Sequence, residues 1–345
     1  MSTAFDDAMV TQQAPDMPEK FFDRFMFNLH PDDGAVPSLV LGAGAYPPRD
    51  VADGFVVLST GTEQRNLRFS TELSATDGSS VGPLRWETVE DNKVWRLVLD
   101  TNRTGLELDL VWTARAPYWL GSVDVANADG NTTSFDHLFQ PGRYEGTLTL
   151  DGESRSVSGW YGVRDRSRGV RTMSGGQGLH VWYQAQFPDR AIGFLLVEDR
   201  SGGRILLEGA VMHEDGEVDD VTDVVHDLTF TEDNDLVSGT VKVTTAAGRV
   251  YEVGAVSPAR GGYMAGGGYG GHHGKVRGRD HEEFDVYPLD GSVNATTVDS
   301  ALTDRATRFT WDGQTGYGIF EYALTRSRSY EYRPTLGAGA GSAGA

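Results

Sequence analysis

Thirteen consecutive residues near the middle of the chain concentrate the groups that could do chemistry. Gly159-Trp160-Tyr161-Gly162-Val163-Arg164-Asp165-Arg166-Ser167-Arg168-Gly169-Val170-Arg171 holds four arginines, one carboxylate, two aromatic rings and three glycines. A plain strand disfavours that mixture, because glycine weakens strands and a buried arginine needs a partner. It reads either as a site or domain junction, or as a surface turn carrying a solvated Arg/Asp network. Asp165 is its one acid–base group. Trp160, Tyr161, Arg164 and Arg168 are the neighbours that could contact a ligand.

A second candidate is Tyr263-Met264-Ala265-Gly266-Gly267-Gly268-Tyr269-Gly270-Gly271-His272-His273-Gly274-Lys275. So much glycine suits a flexible lid or a close backbone approach to a ligand, with Tyr269 as a contact. It is no phosphate loop, since Gly-x-x-x-x-Gly-Lys-Ser/Thr is missing. His272 and His273, with Asp280-His281-Glu282-Glu283 beyond, offer metal donors. Adjacent histidines on an extended chain point opposite ways, so no metal site is expected. Glu321 is the third candidate: alternation puts it on one face with Tyr317, Ile319 and Ala323, a carboxylate on an otherwise apolar face. His137 reads either as a ligand contact or as a satisfied structural histidine.

The elements that must position these groups are strands. Leu67, Phe69, Thr71 and Leu73 alternate with Arg68, Ser70 and Glu72, and Leu106, Leu108, Leu110 and Trp112 with Glu107, Asp109 and Val111. Period two means strands with one face buried. Phe25–Leu29 and Ser38–Gly42 flank the turn-like Pro31-Asp32-Asp33-Gly34, and Thr147–Leu150 meets Glu153–Val157 across Asp151-Gly152, a hairpin signature. Roughly sixteen strands at spacings near ten residues, with no βαβ alternation, predict an all-β chain of two antiparallel barrel or sandwich domains. The boundary is expected just before Gly159: a flexible arm over 1–19, domains over 20–158 and 159–336, and a Gly/Ala tail over 337–345 that is a linker or an appended segment. One short helix is expected near Thr297 to Asp304.

The central stretch also carries a family resemblance. Gly-x-Arg-Asp-x-Ser-x-Gly-Val-Arg resembles the central motif of bacterial proteins related to carotenoid 1,2-hydratase (hydroxyneurosporene synthase), a lipocalin-like group that also resembles fungal Diels–Alderases. The similarity runs over most of residues 20 to 334. It includes Phe25-Met26-Phe27-Asn28, Gly42-Ala43-Gly44-Ala45-Tyr46-Pro47, Val81-Gly82-Pro83-Leu84, Gly142-Arg143-Tyr144-Glu145-Gly146 and Gly316-Tyr317-Gly318-Ile319-Phe320-Glu321-Tyr322. The resemblance implies a lipocalin-like fold and, for Asp165, protonation of an alkene followed by capture of the cation by water. That chemistry needs a carboxyl kept protonated by apolar surroundings near aromatic faces. Arg166 and Arg168 stand where the hydratase motif has histidine and tryptophan, and arginine neighbours tend to keep an aspartate ionised. His273-Gly274 resembles a family His-Gly, which implies an acid–base role for His273.

Composition narrows the classes. The 345 residues include no cysteine, so disulfides, thiolate metal sites and cysteine nucleophiles are excluded. A formal net charge of −20 argues against nucleic acid and anionic membranes as partners. No apolar run is long enough to cross a bilayer as a helix. The first residues lack a basic and an apolar signal region, which leads us to expect a cytoplasmic protein. No Gly-x-Ser-x-Gly elbow, dinucleotide fingerprint or zinc-helix motif appears. The reading is a cofactor-independent lyase, isomerase or cyclase acting on a hydrophobic small molecule, terpenoid or polyketide-like. Asp165 is its expected acid, with His273 or Glu321 as partner. The alternative is a lipocalin-like protein that binds such a ligand without turnover.

Overall fold

The computed structural model describes residues 5–31, 37–126, 132–171, 177–298 and 300–324. The expected Gly/Ala tail and the turn at 32–34 lie outside them. The chain is almost entirely β. Strands β1 (Phe21–Leu29), β2 (Ser38–Tyr46), β3 (Val51–Ser59), β4 (Glu63–Glu72), β5 (Ser80–Val81), β6 (Leu84–Glu90), β7 (Val94–Leu99), β8 (Leu106–Ala114), β9 (Trp119–Ala126), β10 (Thr132–Leu150) and β11 (Glu153–Val170) come first. They are followed by β12 (Gln177–Gln186), β13 (Arg190–Asp199), β14 (Arg204–His213), β15 (Val218–Phe230), β16 (Leu236–Thr245), β17 (Val250–Val256), β18 (His281–Pro288), β19 (Thr303–Trp311) and β20 (Gln314–Leu324). Among the described residues of 297–304 no helix forms, and β19 begins at Thr303. The described helical turns are the 3-10 turns at Pro47–Arg49 and Leu73–Ala75.

Two sheets account for these strands. The first has twelve, in the order β18-β4-β3-β2-β1-β11-β10-β8-β7-β6-β5, with β9 also pairing to β10; the second is a closed eight-stranded barrel of β12 to β17, β19 and β20. The expected boundary before Gly159 therefore falls inside β11, whose whole length pairs with β10 through the hairpin at Asp151-Gly152. Both turn residues have positive φ, as a two-residue hairpin turn requires. The barrel begins only at β12. Its sequence is interrupted once, where β18 leaves to pair with β4 on the edge of the first sheet.

Alternation sorts side chains into three cores. One fills the concave side of the first sheet around Phe25, Phe27, Trp95, Trp112 and Tyr144. A second fills the barrel, where Tyr183 stacks on Phe194 at 4.8 Å and meets Phe309 and Phe320 edge-on. The third lies where the outside of the barrel packs on the convex face of the first sheet: Met26, Phe55, Phe135, Phe139 and Val163 meet Trp182, Leu195, Met212 and Ile319. At Gly193 on β13 a Cβ would come within 2.5 Å of the Phe139 ring, so glycine permits this contact.

The first residues are not loose throughout. Arg164 and Arg166, on the concave side of β11, are fully enclosed. Arg166 donates to both carboxylate oxygens of Asp23 at 2.8 and 2.9 Å, and Arg168 adds a bond to Asp23 at 3.1 Å. Arg164 pairs with Asp7, whose carboxylate also accepts from the Asn92 amide at 2.6 Å and the Trp95 indole at 3.1 Å. Residues 5–8 thus cover the arginine ladder, and Asp7 supplies Arg164 with the counter-charge that Asp23 supplies to Arg166 and Arg168.

Removing one partner of a buried ion pair strands the other. Asp7→Ala is expected to cost roughly 3–5 kcal/mol, read as a fall in the denaturant midpoint. Asp16→Ala, in the exposed part of the arm, should leave the midpoint in place. An unchanged midpoint for Asp7→Ala would show that residues 5–8 do not secure the ladder.

Candidate functional site

The third core encloses a cluster of carboxylates and histidines. Asp165 stands on the convex face of β11, opposite Phe139 of β10 and Met26 of β1. His137, two residues before Phe139, lies diagonally across the strand pair and reaches it: Nε2 is 2.7 Å from Asp165 Oδ2. The other ring nitrogen, Nδ1, is 2.6 Å from Glu208 Oε1 on β14 of the barrel. The imidazole therefore bridges the two sheets between two carboxylates. Burial alone would lower its pKa; Asp165 first and Glu208 second outweigh burial and push it up to about 10. His137 is an imidazolium at neutral pH.

A second pair faces it from the barrel. Glu321 on β20 accepts from His180 Nε2 at 2.7 Å and lies directly across the strand pair from Asp304 on β19. Asp304 is 1% exposed, and Glu321 is the one side chain close enough to share a proton with it among the described residues. Burial, then Glu321 through its charge and a side-chain hydrogen bond, then the charge of Asp165, push its pKa well above the usual carboxylate range, which favours a protonated acid that donates to Glu321. Solvent reaches the cluster at its edge, where the side chains of Asp165 and His180 are 15% and 24% exposed.

The glycine-rich segment forms one wall and is pinned. Gln64 holds Tyr263 through both backbone polar groups at 2.9 Å, and Arg68 donates to the Gly266 carbonyl at 2.7 Å. Gly262, at φ 76°, lies so close to Asp304 that a Cβ would meet its carbonyl oxygen at 1.8 Å. Tyr269 reaches in from this segment. Its hydroxyl is pushed up to about 12, by burial first, with Glu321, Asp304 and Asp165 adding to it against Arg24. His273 packs edge-on to Tyr269 at 4.8 Å and lies 3.5 Å from Asp53. Burial, then Arg24, lowers its pKa, so it is neutral. His272 is likewise lowered, to about 4, mainly by burial. Glu283, on β18, is engaged by Arg68 at 3.2 Å, His281 at 3.0 Å and Arg277.

The expected site residues divide by the pleat of their strands. Asp165, Glu321, His137 and Tyr269 meet at the junction. His273 stands behind Tyr269. Tyr161 shares the face of Asp165 but lies at the rim, under the guanidinium groups of Arg143 and Arg115 at 4.7 and 5.2 Å. Tyr317 is half-buried four residues before Glu321, opposite Gln186. Trp160, Arg164 and Arg168 fall on the concave side with the arginine ladder, so the partner of Asp165 is His137 rather than a neighbouring arginine. Sequence reasoning missed Glu208, His180 and Asp304. The alternation that begins at Phe309 extends back through Thr307, Arg305 and Thr303, and would have put Asp304 on the opposite face of a strand.

The bridging imidazolium makes stability depend on pH. An unfolded histidine titrates near 6.5, so the folded state holds a proton that the unfolded chain releases above that pH. The contribution is complete below about pH 6.5 and is lost as pH rises through about 10. His137→Gln should remove on the order of a few kcal/mol at pH 7 and flatten stability between neutral and alkaline pH. Histidine proton shifts in NMR spectra across that range, with a Tm series for both proteins, test it; an imidazole that titrates near 6.5 would overturn the assignment.

Comparison with known proteins bears on fold. Among solved structures, a candidate AttH protein from Nitrosomonas europaea superposes with a TM-score of 0.64 at 14% identity, over 94% of this chain and 98% of that one. CghA gives 0.51 at 10% identity, over 93% and 97%. Kievitone hydratase from Nectria haematococca gives 0.46 at 12% identity, over 94% and 96%. The first two likenesses show that the overall β fold is shared. Among curated proteins, none matches the sequence. Residues 4–330 match the model of the family described as a family of unknown function (DUF8625), and the chain belongs to that family.

Proposed function

We propose that the protein is a cofactor-independent enzyme that adds water to, or removes it from, an apolar small molecule at the junction of the two sheets. The observation that carries this reading is Asp304: a buried carboxyl set across a strand pair from Glu321, the one side chain it shares a hydrogen bond with among the described residues. Acid-catalysed hydration needs a carboxylic acid kept neutral by its surroundings. Asp165 is engaged by His137, so the acid role passes to Asp304.

The Asp304 proton adds to one alkene carbon and leaves a cation on the other. Phe135, Phe139 and Trp182 supply aromatic faces to that cation, and Glu321 supplies negative charge, while Asp165 and Glu208 are paired to the His137 imidazolium. Water adds its oxygen to the cation and gives up a proton to Glu321, where His180 steadies the carboxylate at 2.7 Å. The proton returns to Asp304 across the strand pair, and dehydration runs the same steps in reverse. Isomerisation or cyclisation would share the protonation step and lose a proton without water adding. The resemblance to carotenoid 1,2-hydratase-like proteins supports the reaction class. The lipocalin-like alternative would put a ligand inside the barrel, whose interior is filled by Tyr183, Phe194, Phe309 and Phe320.

The test is a set of terpenoid and polyketide-like alkenes incubated with the protein in heavy-oxygen water, followed by mass spectrometry for gain or loss of water. Asp304→Asn should cut turnover by about 10²–10⁴-fold while Tm holds, because the amide can still donate to Glu321 but has no acidic proton to give. Turnover that survives in Asp304→Asn would overturn its role, and binding without conversion by the unaltered protein would overturn the enzymatic reading.

A further inference from the structure

Among the described residues, Arg24 and Arg171 are cations of the junction that the proposed chemistry leaves unused and that form no ion pair. Both lie on the convex face of the first sheet. Arg24 is on β1, and Arg171 immediately follows β11, the two strands being paired so that Phe22 faces Gly169. Both guanidinium groups flank the ring of Phe22, at 5.9 Å for Arg24 and 5.3 Å for Arg171. Arg171 also covers Phe135 at 4.3 Å, and Arg24 covers Tyr269 at 5.4 Å. Arg24 donates through Nη2 to the Tyr46 hydroxyl at 2.8 Å, and its Nε is buried without a partner.

Among the described residues neither arginine forms an ion pair, in contrast to Arg164, Arg166 and Arg168 on the other side of the same strands. Asp53 acts on Arg24, and Asp165 and Glu321 on Arg171, only through space. Arginine stays charged whatever its surroundings. Arg24 is half-buried and Arg171 is exposed, so an anion that reaches Phe22 from solvent meets both positively charged guanidinium groups. Their planar forks match the paired oxygens of a carboxylate.

We propose that Arg24 and Arg171 form a clamp for an acidic head group, so that the substrate is an amphipathic acid: an apolar unsaturated body with a carboxylate at one end. This rests on the hydration reading and gives it a direction. The head group anchors over Phe22, and the body runs along Tyr269 and Trp182 towards Asp304. The carboxylates Asp165 and Glu321 between the two ends set the register, since they repel the head group and leave the clamp as its place.

Calorimetric titration of the full chain with decanoate, methyl decanoate and decanol, below micelle-forming concentrations, tests this. A charge-assisted contact is expected to make decanoate bind about 10–100-fold more tightly than its methyl ester. Arg24→Met and Arg171→Gln should each remove most of that ratio. Arg85→Gln, which disrupts an exposed pair with Asp100, should leave it intact. Asp304→Asn should keep the ratio while losing turnover, which separates failure of the clamp from failure of the hydration chemistry. Should Arg24→Met fail to fold by circular dichroism, Arg171→Gln at the more open position decides. Equal binding of acid and ester, no binding of either, or a ratio unmoved by the arginine substitutions would overturn the clamp.

Discussion

Charge buried between two apolar sheet faces must be paired, neutralised or matched from outside, because its desolvation otherwise costs several kcal/mol per ion. Much of this structure follows from that constraint. On the concave side of β11 the solution is pairing: Asp7 and Asp23 meet Arg164, Arg166 and Arg168, and the first residues are drawn in to supply Asp7. On the convex side pairing is incomplete. His137 takes a proton to satisfy Asp165 and Glu208 together, Glu321 finds His180, and Asp304 is left to neutralise itself. One strand thus carries a structural face and a chemical face, separated only by the alternation of its side chains.

The division also explains why the site lies between the sheets. A barrel of this kind can hold a ligand in its lumen when small side chains leave room, but here aromatic rings fill it. The outer wall of the barrel is the surface that remains, and it is shaped for contact: Gly193 lets Phe139 approach, and the glycine-rich segment around Tyr263 and Gly266 is fastened to Gln64 and Arg68. Glycine in that segment serves close backbone packing more than movement. Arg115 adds a clasp at the rim, joining the first sheet to Glu214 at 2.9 Å and to the Arg190 carbonyl at 2.7 Å.

Much of the architecture was legible in the sequence because period-two alternation survives wherever one strand face is wet, as in Leu106 to Trp112. The all-β class, the Asp151-Gly152 hairpin and the tandem arrangement follow from such signals. The importance of the Gly159–Arg171 stretch was legible too, but the roles within it were not. Composition shows four arginines near one aspartate; only the pairing with β1 and β10 shows that Arg164, Arg166 and Arg168 turn away from Asp165. Glu208 and Asp304 were invisible for a related reason. Each reaches the junction through contacts more than 70 residues away in sequence or from a strand masked by a preceding turn, and no local pattern encodes such a meeting. The β18 strand was hidden because its acidic residues looked like metal donors and its apolar positions are few.

That strand has a consequence for how the molecule is made. β18 lies between β17 and β19 in sequence yet completes the edge of the first sheet beside β4, more than 200 residues earlier. As the chain leaves the ribosome, the first eleven strands can assemble with β4 still an open edge, ready to pair with any strand that passes. The edge closes only when residues 281–288 emerge, by which time most of the barrel has been synthesised. The two sheets are thus stitched to each other in time as well as in space. A chain stopped after β17 would lack both the strand that seals the first sheet and the two that close the barrel, so the first sheet waits for β18 and the barrel for β20.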